Sequence, residues 1–363
     1  MKLDSSTEKH EILVRSVADF ILSKQLEDGA IPWFTDGKLD PWDHCEAIMA
    51  LSIAGQKNSL YRNAALAGFE WLAKHQHPKG YWFAKYLGDC GQAENHETDT
   101  YSEDIADRNK IETNFVAYPA TALWHFYLVN GDIEEARNYY PMIERAINYI
   151  VSQQHSEGDI QWATSTLEEL PKDALVTASA SVLRSLECAI CLADALDYSQ
   201  PTWRSAHAKL AEALKTKPWR FDRTWESKTR FSMDWFYPIL SGVFSRSESQ
   251  LRIGQRWDTF FVEGLGCKCV ADEPWVTIAE SCELVIALVA AGQKQKALDV
   301  FQLLLRWQDT DGGFWTGYVY KDDAIWPEEK TTWTAAAIVL AADAIFKLSP
   351  ANKLFTSPSG LLV

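Results

Sequence analysis

Gln25-Leu-Glu-Asp-Gly29-Ala-Ile-Pro-Trp33 returns as Gln76-His-Pro-Lys-Gly80-Tyr-Trp82, as Gln154-His-Ser-Glu-Gly158-Asp-Ile-Gln-Trp162 and as Gln308-Asp-Thr-Asp-Gly312-Gly-Phe-Trp315. The intervals are 51, 78 and 154 residues, and the last is long enough to hide degenerate copies. Recurrence on this scale marks stacked supersecondary units. Each copy follows a stretch with apolar residues three and four apart, such as Ala65, Phe69 and Leu72. A second helical stretch then follows that is apolar all round. Amphipathic helices lie outside and all-apolar ones inside, so outer and inner helices alternate.

Six pairs follow from this reading. Inner helices are expected near Asp43, Thr113, Leu175, Ser232, Trp275 and Thr332, and outer ones near Ser59, Ile133, Thr202, Glu248 and Gln295. The stretch Glu8 to Lys24 supplies the sixth outer helix and closes the ring beside the last inner one. The predicted fold is all-α, an (α/α)6 toroid of six hairpins, with residues 1–348 as one domain and 349–363 as a tail. Strand signals are sparse; Gly312 to Tyr320 reads as a short hairpin. The Trp residues of the repeat copies are expected to be packing staples.

Composition narrows the function. The 363 residues carry 35 Lys and Arg against 50 Asp and Glu, a net charge of −15, which repels phosphate backbones and anionic lipid. Neither nucleic acid nor membrane is an expected partner. The first residues lack an apolar signal stretch, and the longest apolar run, Thr334 to Ile345, is broken by Asp343. The seven Cys follow no secreted disulfide pattern. A cytoplasmic protein with reduced thiols is expected. Cys267-Lys-Cys269 lacks a second ligand pair at zinc spacing, so neither metal nor cofactor is expected.

The 16 Trp, 13 Tyr and 16 Phe exceed what packing needs. In a ring, the loops after outer helices and the first turns of inner helices surround one mouth. Acidic and aromatic residues crowd there: Trp42, Asp43, His44 and Glu46; Asn114 and Tyr118; Asp234, Trp235 and Tyr237; Trp275, Glu280 and Glu283; and Trp333. Any one acid in a first turn is explained by capping and the helix dipole, and His44 by a satisfied buried ring. Glu280 and Glu283 differ, because they sit in an apolar helix where an unpaired carboxylate is costly. Aromatic platforms beside paired carboxylates suit glycosidic-bond cleavage; they also suit carbocation chemistry.

The repeats over alternating helices resemble those of the squalene cyclase and protein prenyltransferase families, over about residues 8–347. Neither the Asp-rich cyclase motif nor the prenyltransferase zinc set is present; the one Asp pair is Asp322-Asp323. Leu39-Asp-Pro-Trp-Asp-His-Cys-Glu-Ala, Ser232-Met-Asp-Trp-Phe-Tyr-Pro, Pro274-Trp-Val-Thr-Ile-Ala-Glu-Ser-Cys-Glu-Leu and Trp326-Pro-Glu-Glu-Lys-Thr-Thr-Trp-Thr-Ala-Ala resemble a bacterial prenyltransferase-like group more closely. That group includes the mycobacterial methylmannose polysaccharide hydrolases. The resemblance implies a glycoside hydrolase, endo-α-mannosidase-like, acting on an oligo- or polysaccharide.

Position in the ring selects Asp43, Asp234 and Glu280 as catalytic candidates. Trp42, His44, Glu46, Asn114, Tyr118, Trp235, Tyr237, Trp275, Glu283 and Trp333 are the substrate-binding candidates. Inversion is expected, with Glu280 as the acid and Asp43 or Asp234 as the base. The alternatives are a terpenoid cyclase or prenyltransferase-like enzyme, and a non-catalytic glycan-binding toroid.

Overall fold

The computed structural model describes residues 5–86, 109–357 and 360–362. Among the described residues twelve α-helices occur, and they alternate as the repeats imply. The inner helices are α2 (Pro41–Gly55), α4 (Thr113–Asn130), α6 (Val176–Ala195), α8 (Ser232–Leu240), α10 (Ile278–Ala290) and α12 (Thr332–Phe346). The outer helices are α1 (Ser5–Leu22), α3 (Ser59–His75), α5 (Ile133–Ser152), α7 (Pro201–Thr216), α9 (Arg246–Phe260) and α11 (Lys294–Leu304). Each inner helix packs on the next, and α12 packs back on α2, closing the ring; α1 fills the outer position against α12 and α2. The division follows from composition: every residue of α2 is buried, whereas α5 buries one stripe, including Ala136, Ile143, Ile147 and Ile150.

The recurrent Gln and Gly act as clips. The Gln25 side-chain amide donates to the Gly29 carbonyl at 3.0 Å and to the Ala64 carbonyl of α3 at 2.9 Å. Gln76 bonds Gly80 and Met142 of α5 in the same way, and Gln154 bonds Gly158 and Ala206 of α7. Gln308 bonds Gly312 and the Ser16 hydroxyl of α1, joining the last outer position to the first. At φ +95° a Cβ on Gly80 would lie 2.3 Å from the Arg145 carbonyl oxygen, so no other residue fits without movement. The plug that accompanies the clip sits two residues after the Gly: Ile31, Trp82, Ile160 and Phe314 are buried. Only Trp82 of the four repeat Trp serves as that staple, and its indole donates to the Leu72 carbonyl.

Three expectations are corrected. Trp275 begins a strand, Trp275–Thr277, that pairs with Gly317–Val319, and α10 starts only at Ile278. The hairpin expected at Gly312 to Tyr320 lies further on, where Gly317–Val319 pairs with Ala324–Ile325. Helix α6 is long and apolar enough to cross a membrane, yet it is mostly buried and carries the Arg184–Glu187 ion pair. The tail is packed: Ala351, Leu354 and Phe355 are buried, and the Leu361 N–H donates to Glu187. Cys90 lies outside the described residues.

Candidate active site

Helix α2 begins where Asp40 caps it and Pro41 occupies the first turn. Asp40 accepts the Asp43 N–H at 2.9 Å and the Trp33 indole N–H at 2.9 Å. Asp43 and, one turn deeper, Glu46 project from one face of α2. Helix α10 repeats this arrangement with Glu280 and Glu283. In the ring only α12, carrying Trp333, separates α2 from α10.

The deeper pair is closed in. Glu46 accepts the Trp42 indole N–H at 2.8 Å and the Tyr118 hydroxyl at 2.9 Å. Trp42 stacks on Tyr118 at 4.8 Å and meets Tyr237 at 5.4 Å, giving an aromatic floor. Glu46, Glu283, Tyr118 and Tyr237 line one small cavity whose far side is Leu240, Ile286, Ala337, Leu340 and Phe355 of the tail. Neither carboxyl oxygen of Glu283 has a protein partner.

Burial dominates the electrostatics. It raises the Glu46 carboxyl to about 7, against the two donors that favour its charged form. Burial, then the charges of Glu46 and Glu280, holds Glu283 well above the usual range. Asp43 is likewise raised by burial and by the neighbouring Asp40 and Glu46. Burial, then the charge of Glu280 beside it, holds the Cys269 thiol up, and Glu112 pairs with Lys110 at 2.9 Å near Asp40.

The structure brings Trp42, Asp43, Glu46, Tyr118, Tyr237, Glu283 and Trp333 together, with Glu280 one turn above Glu283. Asn114, in the first turn of α4, keeps a buried amide oxygen without a partner. Four candidates sit elsewhere. Trp235 is turned outward: its indole donates to the Arg252 carbonyl and stacks on Phe260 of α9 at 5.3 Å, so it is a helix–helix contact. His44 accepts the Ile31 N–H and donates to the Gly68 carbonyl; it is fully buried, held neutral with its pKa lowered to about 4, and structural. Asp234 is raised to about 6 by burial, and the charges facing it are Arg252, Asp222 and Arg256, not the α2 and α10 carboxyls. Trp275 stands on the rim strand.

Asp40, Trp33, Glu112 and Cys269 are site neighbours the sequence reading passed over. Only Asp40 carried a signal, an acidic residue before a Pro-started apolar helix. Asp322-Asp323 forms the rim turn, where Asp323 accepts the Tyr318 hydroxyl. Among the described residues no cluster of three His, Cys, Asp or Glu is placed to hold a metal ion.

No family model matches the chain. It is 39% identical over 350 residues to the MMP endo-(1,4)-3-O-methyl-alpha-D-mannosidase of Mycolicibacterium hassiacum, across 96% of this chain and 90% of the relative. Among solved structures, a D-mannose isomerase superposes with a TM-score of 0.70 at 13% identity, covering 96% of this chain and all of that one. A glycosidase variant in complex with glucose gives 0.67 at 14% identity with the same coverage. At such identities these two show the toroid fold alone.

Proposed function

The chain belongs to the family of the MMP endo-(1,4)-3-O-methyl-alpha-D-mannosidase, and on that premise we propose that it hydrolyses internal α-(1→4) bonds of a 3-O-methylated mannan. It is a glycoside hydrolase of toroid fold. The observation that carries the residue assignment is the pair of carboxyl ladders, Asp43–Glu46 and Glu280–Glu283, on two inner helices with an aromatic floor between them.

Asp43 acts as the acid. Its buried carboxyl, beside Asp40 and Glu46, retains a proton to donate to the glycosidic oxygen as the C–O bond breaks. Glu280 acts as the base: it removes a proton from water as the water oxygen bonds to the anomeric carbon. The proton returns to Asp43 from solvent, and the balance is one water consumed per bond cleaved. These roles exchange the assignment made from sequence, because the acids that hold a proton on Asp43 surround it on α2. Direct attack by water inverts the anomeric centre and requires these two carboxyls to stand about 6.5–9.5 Å apart. Trp42 and Trp333 supply stacking surface, and the free Asn114 oxygen accepts a sugar hydroxyl. Asp234, facing Arg252 and Arg256 of α9, takes no proton from substrate.

The experiment is digestion of a 3-O-methylated α-(1→4)-mannan, with reducing ends counted and the first-formed anomer read by proton NMR. New reducing ends of inverted configuration support the reading. No release, with the folded protein confirmed, refutes the hydrolase; retained configuration refutes the direct attack of water.

A further inference from the structure

Trp326 is the large aromatic side chain most out of place for packing on the Glu280 side of the mouth. It is 56% exposed, although the chain has buried sites for many of its other rings. It lies between the rim hairpin and α12, and its ring meets Trp275 edge-on at 5.1 Å. The corner is built rather than loose. The Trp275 indole donates to the Trp326 carbonyl at 2.8 Å, and the Trp326 N–H donates to the Gly317 carbonyl at 3.0 Å. A Cβ on Gly317 would stand 2.3 Å from the Trp275 indole nitrogen and 2.8 Å from the Trp326 carbonyl, so the two aromatics close over a position with room only for glycine. The Trp275 strand runs straight into α10, whose third residue is Glu280. The aromatic corner is thereby fixed to the helix that carries the base, roughly 10–15 Å from it along the chain.

We propose that Trp326 and Trp275 form a distal sugar-binding subsite that grips the polysaccharide beyond the residue being hydrolysed. This rests on the hydrolase reading above and adds to it the basis of internal cleavage: a chain held on both sides of the reacting bond. The occupant is a neutral glycan. The exposed acids nearby, Glu273, Asp322, Asp323 and Glu328, repel an anionic polymer, while a ring face binds the apolar face of a sugar irrespective of charge. The rigid pairing of the two indoles lowers the ordering cost on binding.

The test compares Trp326→Ala with the wild-type full chain on the 3-O-methylated α-(1→4)-mannan polymer and on the shortest 3-O-methylmannose oligosaccharide that is cleaved. Expected are a KM for the polymer about tenfold higher, an unchanged kcat, and unchanged kinetics on the short substrate. Trp326→Phe should recover most of the polymer KM, and thermal unfolding should match the wild type for both variants. Equal loss on both substrates, or no loss on the polymer, overturns the subsite. Wild-type protein inactive on both substrates counts against the hydrolase reading instead. In that case titration of the polymer into wild type and Trp326→Ala still tests the subsite: equal heats refute it.

Discussion

Glu46 of α2 and Glu283 of α10 line one cavity, and the charge of Glu46 strengthens the hold of Glu283 on its proton. Among the described residues no cation lines that cavity, so protonation is what relieves the buried charge. Tyr118 and Trp42 stabilise Glu46, whereas Glu283 has no protein donor.

A pH dependence of stability follows. The folded-state pKa of Glu283 lies above its unfolded value, so its contribution is fully present below the unfolded pKa and is lost as pH rises through the folded one. Glu46 has the same sign, losing stability between about 4.5 and about 7. Glu283→Gln should unfold at a higher temperature than wild type at pH 8, and the difference should shrink toward pH 5. A gap that widens on acidification would contradict this.

The clips should matter more than their surface position suggests. Gly80→Ala places a Cβ against the Arg145 carbonyl at a positive φ, at a cost of about 2–4 kcal/mol in urea unfolding. Gln76→Ala removes bonds to Gly80 and Met142 and should cost about 1–3 kcal/mol. Loss below about 0.5 kcal/mol in both would mean the loops do not hold successive outer helices together.

Two tryptophans separate packing from binding. Trp235→Phe should lower stability through its lost bond to Arg252 and leave KM unchanged, because the ring faces α9. Trp42→Phe removes a donor to Glu46 beneath the sugar site and should raise KM severalfold. A KM change in Trp235→Phe alone would place the platform on the wrong helix.

The ring was legible because its signals are periodic and local. Thr113, Ser232 and Thr332 were read as helix starts and are so, and α1 closes against α12 as the repeat count required. The direction of a side chain on a fully apolar helix carries no such signal. Trp42 and Trp235 each stand beside a first-turn Asp, yet one faces the axis and the other an outer helix. Trp275 has β-branched neighbours, Val276 and Thr277, which favour the strand it forms, but pairing with Gly317–Val319 is a long-range event. The tail carries no periodic signal; its Phe355 is buried and lines the same cavity as Leu240, Ile286, Ala337 and Leu340 of the inner helices.

The central claim is that Asp43 and Glu280 are the reacting carboxyls. The direct measurement is the rate of reducing-end release from 3-O-methylated α-(1→4)-mannan by Asp43→Asn, Glu280→Gln and Asp234→Asn, each with an unfolding curve beside it. Each of the first two should lose about 10²–10⁴-fold in kcat while staying folded, and Asp234→Asn should lose much less. Near-normal turnover in folded Asp43→Asn and Glu280→Gln, or the largest loss in Asp234→Asn, would contradict the account.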